Sequence, residues 1–242
     1  MKLLETQPKL VEQVYEAILE EITSGRMRPG ARVIQEQLAR ELGVSRQPVQ
    51  QALLLLRNQG VLQDAPGRGL QVAPLDLDYV RNMYDMRAVI EGLACRRAAE
   101  VNAAAAKAKG PALIRAGRKE VQNGSVRGMI AADRDFHRMI YELSDNPLVE
   151  PILESQWTNT QRIMGEVLLR DDQPRNVWKQ HEEILDAIAS GNGAEAEALG
   201  RAHISRAADF MIERLRQLDS SEVTAESTRK RLAGRRKAGT PS

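Results

Sequence analysis

Apolar residues at Leu10, Val14, Ile18 and Ile22 recur at every fourth position and line one face of a helix. That helix stops at "SGRMRPG", where Gly25, Pro29 and Gly30 break the period. A short helix is predicted over Gln35 to Leu42, closed by Gly43 in the left-handed cap position. Ser45 opens the next helix as its N-cap. Pro48 is tolerated there because first-turn N–H groups have no intrahelical partner. This third helix turns Val49, Ala52, Leu53 and Leu56 toward a core and leaves Gln47, Gln50, Gln51 and Leu54 on its other faces. After Gly60 the stretch "VLQDAPGRGLQVAP" predicts two short strands joined by a glycine-rich turn. Three helices followed by a hairpin is the order of a winged helix-turn-helix.

Pro74 and the acidic "LDLDYV" begin a second region that is helical almost throughout. Helices are predicted over Asp76 to Val101, Pro111 to Gln122, Val126 to Leu143, Leu148 to Leu169, Pro174 to Ser190 and Ala194 to Leu218. The breaks fall at "KGP", "NGS", "DNP", "DDQP" and "GNG". The expected fold is therefore mainly α. A winged helix-turn-helix domain spans residues 1–74, an all-α antiparallel helix bundle spans 75–218, and a basic tail without apolar periodicity, expected to be mobile, spans 219–242.

Composition narrows this picture only slightly. The 35 Lys and Arg against 33 Asp and Glu leave a net charge of +2, too little to argue for nucleic acid by itself. The single cysteine, Cys95, excludes an internal disulfide framework and suits a reducing compartment. The N-terminal residues lack a signal-peptide pattern, and no apolar run approaches the roughly 20 residues that span a bilayer. A cytoplasmic protein with no membrane partner is expected.

The local chemistry says more. In a helix-turn-helix the second helix enters the major groove with its N-terminal side chains at base edges. There arginine can pair bidentately with guanine and glutamine with adenine. "SRQPVQQ" sets those side chains at that place, and Arg68 at the hairpin tip could reach an adjacent groove or backbone. "IQEQLARELGVSRQPVQQALLLLRNQGVL" followed by "GRGLQV" resembles the N-terminal domain of GntR-type bacterial transcription regulators, over roughly Leu10 to Pro74. The resemblance implies double-stranded operator DNA as partner, contacted by Ser45, Arg46, Gln47, Gln50, Arg68 and Gly69. Gln50 stands where that family usually has arginine, and Gln51 where it usually has glutamate. The first departure implies an operator altered at one base pair.

All three histidines lie in the second region, each on a stripe that should be apolar. The stripes read Ile130, Asp133, His137, Ile140; Val177, His181, Ile184, Leu185, Ile188; and Leu199, His203, Phe210. Three buried imidazoles and a carboxylate require mutual satisfaction, and a divalent metal would satisfy all four at once. For one histidine alone, a hydrogen-bonded core residue would be the better expectation. "MYDMRAVIEGLACRRAA", "DRDFHRMIYELSDNPLV" and "HEEILDAIASGNGAEAEAL" resemble the FCD domain, the effector-binding bundle of the FadR subfamily, from about Leu77 to Leu215. The resemblance implies that Asp133, His137, His181 and His203 hold a metal, zinc first, with manganese or nickel as alternatives. It further implies that a small organic acid completes the coordination. Arg87, on the stripe Val80, Tyr84, Arg87, Glu91, Ala94, could clamp an effector carboxylate or pair with Glu91 one turn on.

Lesser features have plainer readings. Arg138 and Asn146 suit surface and turn positions. Met83, Met86 and Met139 are expected to fill core space, and Trp157 and Trp178 to lie in the core or an interface. "TRKRLAGRRK" could add nonspecific DNA affinity or be a solvated end. The expected function is a ligand-responsive transcription regulator, a repressor, acting as a homodimer on a short inverted repeat. Two rivals stand beside it. One is a metal sensor; the other is a metal-dependent hydrolase or lyase, disfavoured because no paired general base accompanies the ligands.

Overall fold

The structure, a computed structural model, describes residues 8–169 and 177–237, with side chains over 10–169 and 177–218. The first domain contains α1 (Pro8–Thr23), β1 (Arg32–Val33), α2 (Gln35–Glu41), α3 (Arg46–Asn58), β2 (Leu62–Asp64) and β3 (Leu70–Val72). The predicted stripe of α1 is buried at Val14, Ile18 and Ile22, and it packs on Val49, Ala52, Leu53 and Leu56 of α3. Gly43 takes the left-handed conformation (φ +65°) that lets the chain turn sharply between α2 and α3.

Two details depart from the sequence reading. The hairpin has a third antiparallel strand: β1 pairs with β3, in the order β1-β3-β2, with Arg32 opposite Gln71. A two-residue strand is too short to leave a period. Ser45 occupies the N-cap position of α3, but its side chain makes no cap hydrogen bond.

The second domain is built from α4 (Leu77–Asn123), α5 (Val126–Leu143), α6 (Val149–Leu168), α7 (Val177–Ala189) and α8 (Gly193–Lys237). The break predicted at "KGP" does not occur there. α4 runs through Pro111, and its one non-helical residue is Asn102 (φ −137°, ψ 29°), whose amide donates to the Leu143 carbonyl at 2.9 Å. Gly110 serves close packing instead of termination, since a Cβ there would come within 2.2 Å of Leu185 Cδ1 on α7. Packing of α4 against α7 outweighs the penalty of about 3 kcal/mol for an interior proline.

α5 has the predicted limits. Gly124 (φ +66°) ends α4, and the Ser125 hydroxyl caps α5 by accepting from the Gly128 N–H at 3.0 Å. The "DDQP" break and residues 174–176 of the predicted fifth helix lie outside the described residues. The last helix does not stop at Leu218: the α8 backbone stays helical to Lys237, where a mobile tail was expected. Residues 219–237 are rich in Glu, Ala, Lys and Arg, good helix formers, and extending an existing helix avoids the cost of nucleation. Met83 and Met139 are buried as expected, but Met86 is 61% exposed, because it lies on the face of α4 opposite Tyr84 and Arg87. Trp178 is core, and Trp157 is half-buried.

α6 lies between the two domains. Toward the first, Thr158 meets the Tyr15 hydroxyl at 2.8 Å, and Asn159 donates to the Gln59 carbonyl at 2.9 Å. Arg162, whose pKa burial lowers to about 10, donates to the Ala73 carbonyl. Gly165 admits the end of α1, since a Cβ there would sit 2.5 Å from the Thr23 carbonyl oxygen. Toward the second domain, Ile163 and Val167 pack with Val80, Ile204 and Ala208.

Candidate metal centre and DNA-facing surface

α5, α7 and α8 each contribute one histidine to a single buried cluster. One ring nitrogen from each of His137, His181 and His203 lies within 4.8 Å of the others. His181 Nε2 is 3.2 Å from His203 Nε2 and 3.6 Å from Asp133 Oδ1, and Asp133 Oδ1 is 3.9 Å from His137 Nε2. The four residues that the sequence reading grouped are therefore brought together.

Neighbouring groups orient two of the rings. His137 Nδ1 faces Glu91 Oε2 at 2.7 Å, and His203 Nδ1 faces the Gln180 side-chain oxygen at 3.0 Å. Both acceptors favour the Nδ1–H form and leave the Nε2 lone pairs turned to the cluster. His181 is fully buried, its ring stacked on Phe136 at 4.3 Å, and its Nδ1 has no partner among the described residues. Burial, with the neighbouring imidazoles, pushes His181 well below the usual histidine range and His203 down to about 3. These two rings are neutral, the form that ligates metals.

The carboxylates complete the electrostatics. Burial alone would raise the Glu91 carboxyl, but Arg87 and His137 beside it hold it at about 2. Burial raises Asp133 above its ordinary value despite His137 and Arg87. On His137, burial opposes charge, yet Glu91 and Asp133 outweigh it and raise the pKa.

Two lone-pair nitrogens 3.2 Å apart beside a carboxylate oxygen repel one another unless a proton or a cation lies between them. With the unpartnered His181 Nδ1 carrying that ring's hydrogen, the donor set fits a divalent cation.

Arg87 pairs with Glu91: its Nε and Nη2 lie 2.9 and 2.8 Å from Glu91 Oε1. It also donates through Nη1 to Thr160 Oγ1 on α6 at 3.2 Å. Arg87, Asp133, His137 and His203 all line a cavity of about 480 Å³ between α4, α5, α6, α7 and α8. Glu91, Gln180 and Thr160 have no metal-ligand spacing of their own, and in the sequence only the Arg87–Glu91 pairing carries a signal, the i,i+4 step.

On the first domain, Ser45, Arg46, Gln47 and Gln50 are exposed at the start of α3, and Arg68 and Gly69 are exposed at the hairpin tip. Arg32 of β1 holds that tip, donating to the Pro66 carbonyl at 2.8 Å and the Arg68 carbonyl at 3.3 Å. Arg46 lies 3.3 Å from Glu36, and its carbonyl accepts from Gln35 Nε2 at 2.9 Å. Arg138 pairs with Glu150 at 2.9 Å on the surface, and Asn146 stabilises the turn before α6, its Oδ1 accepting from the Leu148 N–H at 3.1 Å.

A winged helix-turn-helix joined to a helical bundle with a buried histidine cluster and a cavity beside it defines a class of DNA-binding regulators. Residues 10–72 match the gntR family of bacterial regulatory proteins and residues 82–206 match the FCD domain. The chain belongs to the GntR family and carries an FCD domain; this is a family of transcriptional regulators, not enzymes.

Among its relatives is the HTH-type transcriptional repressor RspR of Escherichia coli K12, 24% identical over 221 residues, covering 91% of this chain and 96% of the relative. Another is the Nta operon transcriptional regulator of Aminobacter aminovorans, 28% identical, with 87% and 98% covered. The fold is shared with McbR/YncC of E. coli, with a TM-score of 0.73 at 21% identity over 87% of this chain and 99% of that one. Among the described residues, no helix is long and apolar enough to cross a membrane.

Proposed function

We propose that the chain is a ligand-responsive repressor that binds a short inverted-repeat operator as a homodimer and releases it when an organic acid enters the FCD cavity. The observation that carries this reading is the continuity between the histidine cluster, the cavity and α6. Arg87, His137 and His203 line the cavity, and Arg87 also bonds Thr160 on the helix that holds the DNA-binding head. His137, His181, His203 and Asp133 would hold a divalent cation, zinc first, with manganese or nickel as alternatives. When bound, the cation would offer a Lewis-acidic position to a carboxylate oxygen. Arg87 would orient that carboxylate, and Glu91 and Gln180 keep the imidazole lone pairs turned inward.

Ser45, Arg46, Gln47 and Gln50 would enter the major groove, with Arg68 and Gly69 at the adjacent backbone or groove. A stripe on α4 supports the homodimer. Tyr79, Asn82, Met86, Val89 and Leu93 follow the alternating three- and four-residue step of a helix–helix seam, and Met86 and Val89 are 61% and 51% exposed. Asp76 at one end of the stripe and Arg96 at the other, the latter also pairing with Glu197 of its own chain at 3.1 Å, would face each other in a second copy lying antiparallel.

The test is operator binding by the metal-loaded full chain, titrated with carboxylic acids. Release of DNA by an acid in wild type, and its loss in His181→Ala, is the expected result. Operator affinity indifferent to both metal and acids would overturn the reading. If DNA affinity instead follows the free metal concentration at every acid concentration, the ion is the signal.

A further inference from the structure

The cavity is polar at one pole and apolar along its length. Arg87, His137 and Asp133 are linked directly or through Glu91, and His203 joins them through His181, which meets both His203 and Asp133. From that pole, α5 contributes Met129 and Val126, one and two turns before Asp133, and α8 contributes Ala207 and Met211, one and two turns after His203. α6 adds Met164 and Leu168 to the same wall. At a helical rise of 1.5 Å per residue, the stretch from Asp133 to Val126 is about 10 Å and that from His203 to Met211 about 12 Å. Among the described residues, no charged side chain lines the cavity apart from Arg87 and Asp133 and the titratable histidines.

Charge balance limits the occupant of the polar pole. Arg87 is already neutralised by Glu91, so its guanidinium brings no net positive charge to a ligand. With the imidazoles neutral, as metal ligation requires, Asp133 leaves one negative charge, and a divalent cation would turn that into one net positive charge. A single carboxylate neutralises it. A second carboxylate would be buried along an apolar wall without a partner, which is strongly unfavourable.

We propose that the effector of this chain is a monocarboxylate with an apolar tail, an aryl or medium-length alkyl acid, and not a compact di- or tricarboxylate. The proposal rests on the reading above, in which a carboxylate meets a cation at the histidine cluster. The acid group sits at Arg87 and the histidines, and the tail runs past Met129, Met164, Ala207 and Met211. Methionines suit such a wall because their flexible thioethers adapt to ligand shape.

Isothermal titration of the zinc-loaded full chain with acetate, butyrate, hexanoate, octanoate and succinate tests it. Affinity is expected to rise about fourfold per methylene, the equivalent of about 0.8 kcal/mol for each buried CH₂. Succinate should bind at least about tenfold more weakly than butyrate, its equal in length, because of the unpaired second charge. Ala207→Leu, at a half-buried helical position, should weaken octanoate and leave zinc content and acetate binding unchanged.

An affinity flat along the series, succinate tighter than butyrate, or octanoate binding indifferent to Ala207→Leu would each overturn the proposal while leaving a carboxylate effector in place. If no acid binds protein that retains zinc and operator binding, the carboxylate effector itself is overturned, and the proposal falls with it.

Discussion

Asn159 of α6 donates to the carbonyl of Gln59, the residue that ends the recognition helix, at 2.9 Å, while the next residue, Thr160, accepts from Arg87 at 3.2 Å. Consecutive residues of one helix thus bond the first domain and Arg87, a residue that lines the cavity. A ligand that draws Arg87 away from Thr160 acts on the helix turn that positions the head, which is a physical route for coupling between the sites. Asn159→Ala is expected to cost about 1 kcal/mol of stability, the worth of a typical hydrogen bond. It should leave operator affinity without effector nearly unchanged while reducing the effector-induced change. Fluorescence anisotropy with labelled operator, with and without acid, measures both; an undiminished response would remove α6 as the route.

The histidine cluster predicts a metal-dependent stability. A ligand present at about 100 times its Kd stabilises the folded state by about 2.7 kcal/mol. Zinc at that excess should therefore raise the Tm of wild type and not of His181→Ala. His181 is the ring to test because its Nδ1 has no partner among the described residues and its Nε2 faces both His203 and Asp133. Gln180→Ala, which frees the His203 ring from its orienting acceptor, should lower metal affinity by about 10- to 100-fold without abolishing binding. Calorimetry with and without a chelator separates these outcomes, and equal Tm shifts in wild type and His181→Ala would exclude the cluster as the binding site.

Much of this site was legible in the sequence because polar residues able to ligate a metal replace apolar ones at helical spacing. Asp133 and His137 one turn apart, and His181 and His203 on their own apolar stripes, announce themselves against a background of Ile and Leu. Glu91 was visible only as the i+4 partner of Arg87; that it also holds His137 depends on how α4 meets α5, which no local pattern encodes. Gln180 and Thr160 look like ordinary half-polar helix residues in sequence. In the fold, "KGP" misled because tertiary packing overrode the local signal: Gly110 is small for the sake of Leu185, and the helix departs from regularity at Asn102 instead. β1 escaped notice because two residues carry no period.

Gln50 is exposed on α3 one turn beyond Arg46 and Gln47, on the face that would meet base edges. A glutamine paired bidentately with adenine contributes about 1–3 kcal/mol of discrimination against the wrong base. Gln50→Ala should therefore relax selectivity at one base pair of each half-site with little effect elsewhere. Gln50→Arg should shift the preference there toward guanine. Selection of binding sites from a random pool reads both; identical half-sites from wild type and Gln50→Arg would take Gln50 out of the readout.

Met86 sits at the middle of the α4 stripe, 61% exposed, with the acidic end of the stripe ten residues before it at Asp76 and the basic end ten residues after it at Arg96. Antiparallel pairing with a second copy would bring the two Met86 side chains together at the two-fold axis, where any substitution is felt twice. Met86→Asp would place two like charges in that desolvated seam. Because the residue is exposed in the single chain, the fold of each protomer should survive with an unchanged circular dichroism spectrum. Dimer dissociation should move into a concentration range accessible to analytical ultracentrifugation. Operator affinity should fall in parallel, since two linked heads gain their second contact at an effective concentration that separate chains lack, an advantage of about 10²- to 10⁴-fold. A Met86→Asp protein that sediments as wild type and binds operator equally well would show that α4 does not form the dimer seam.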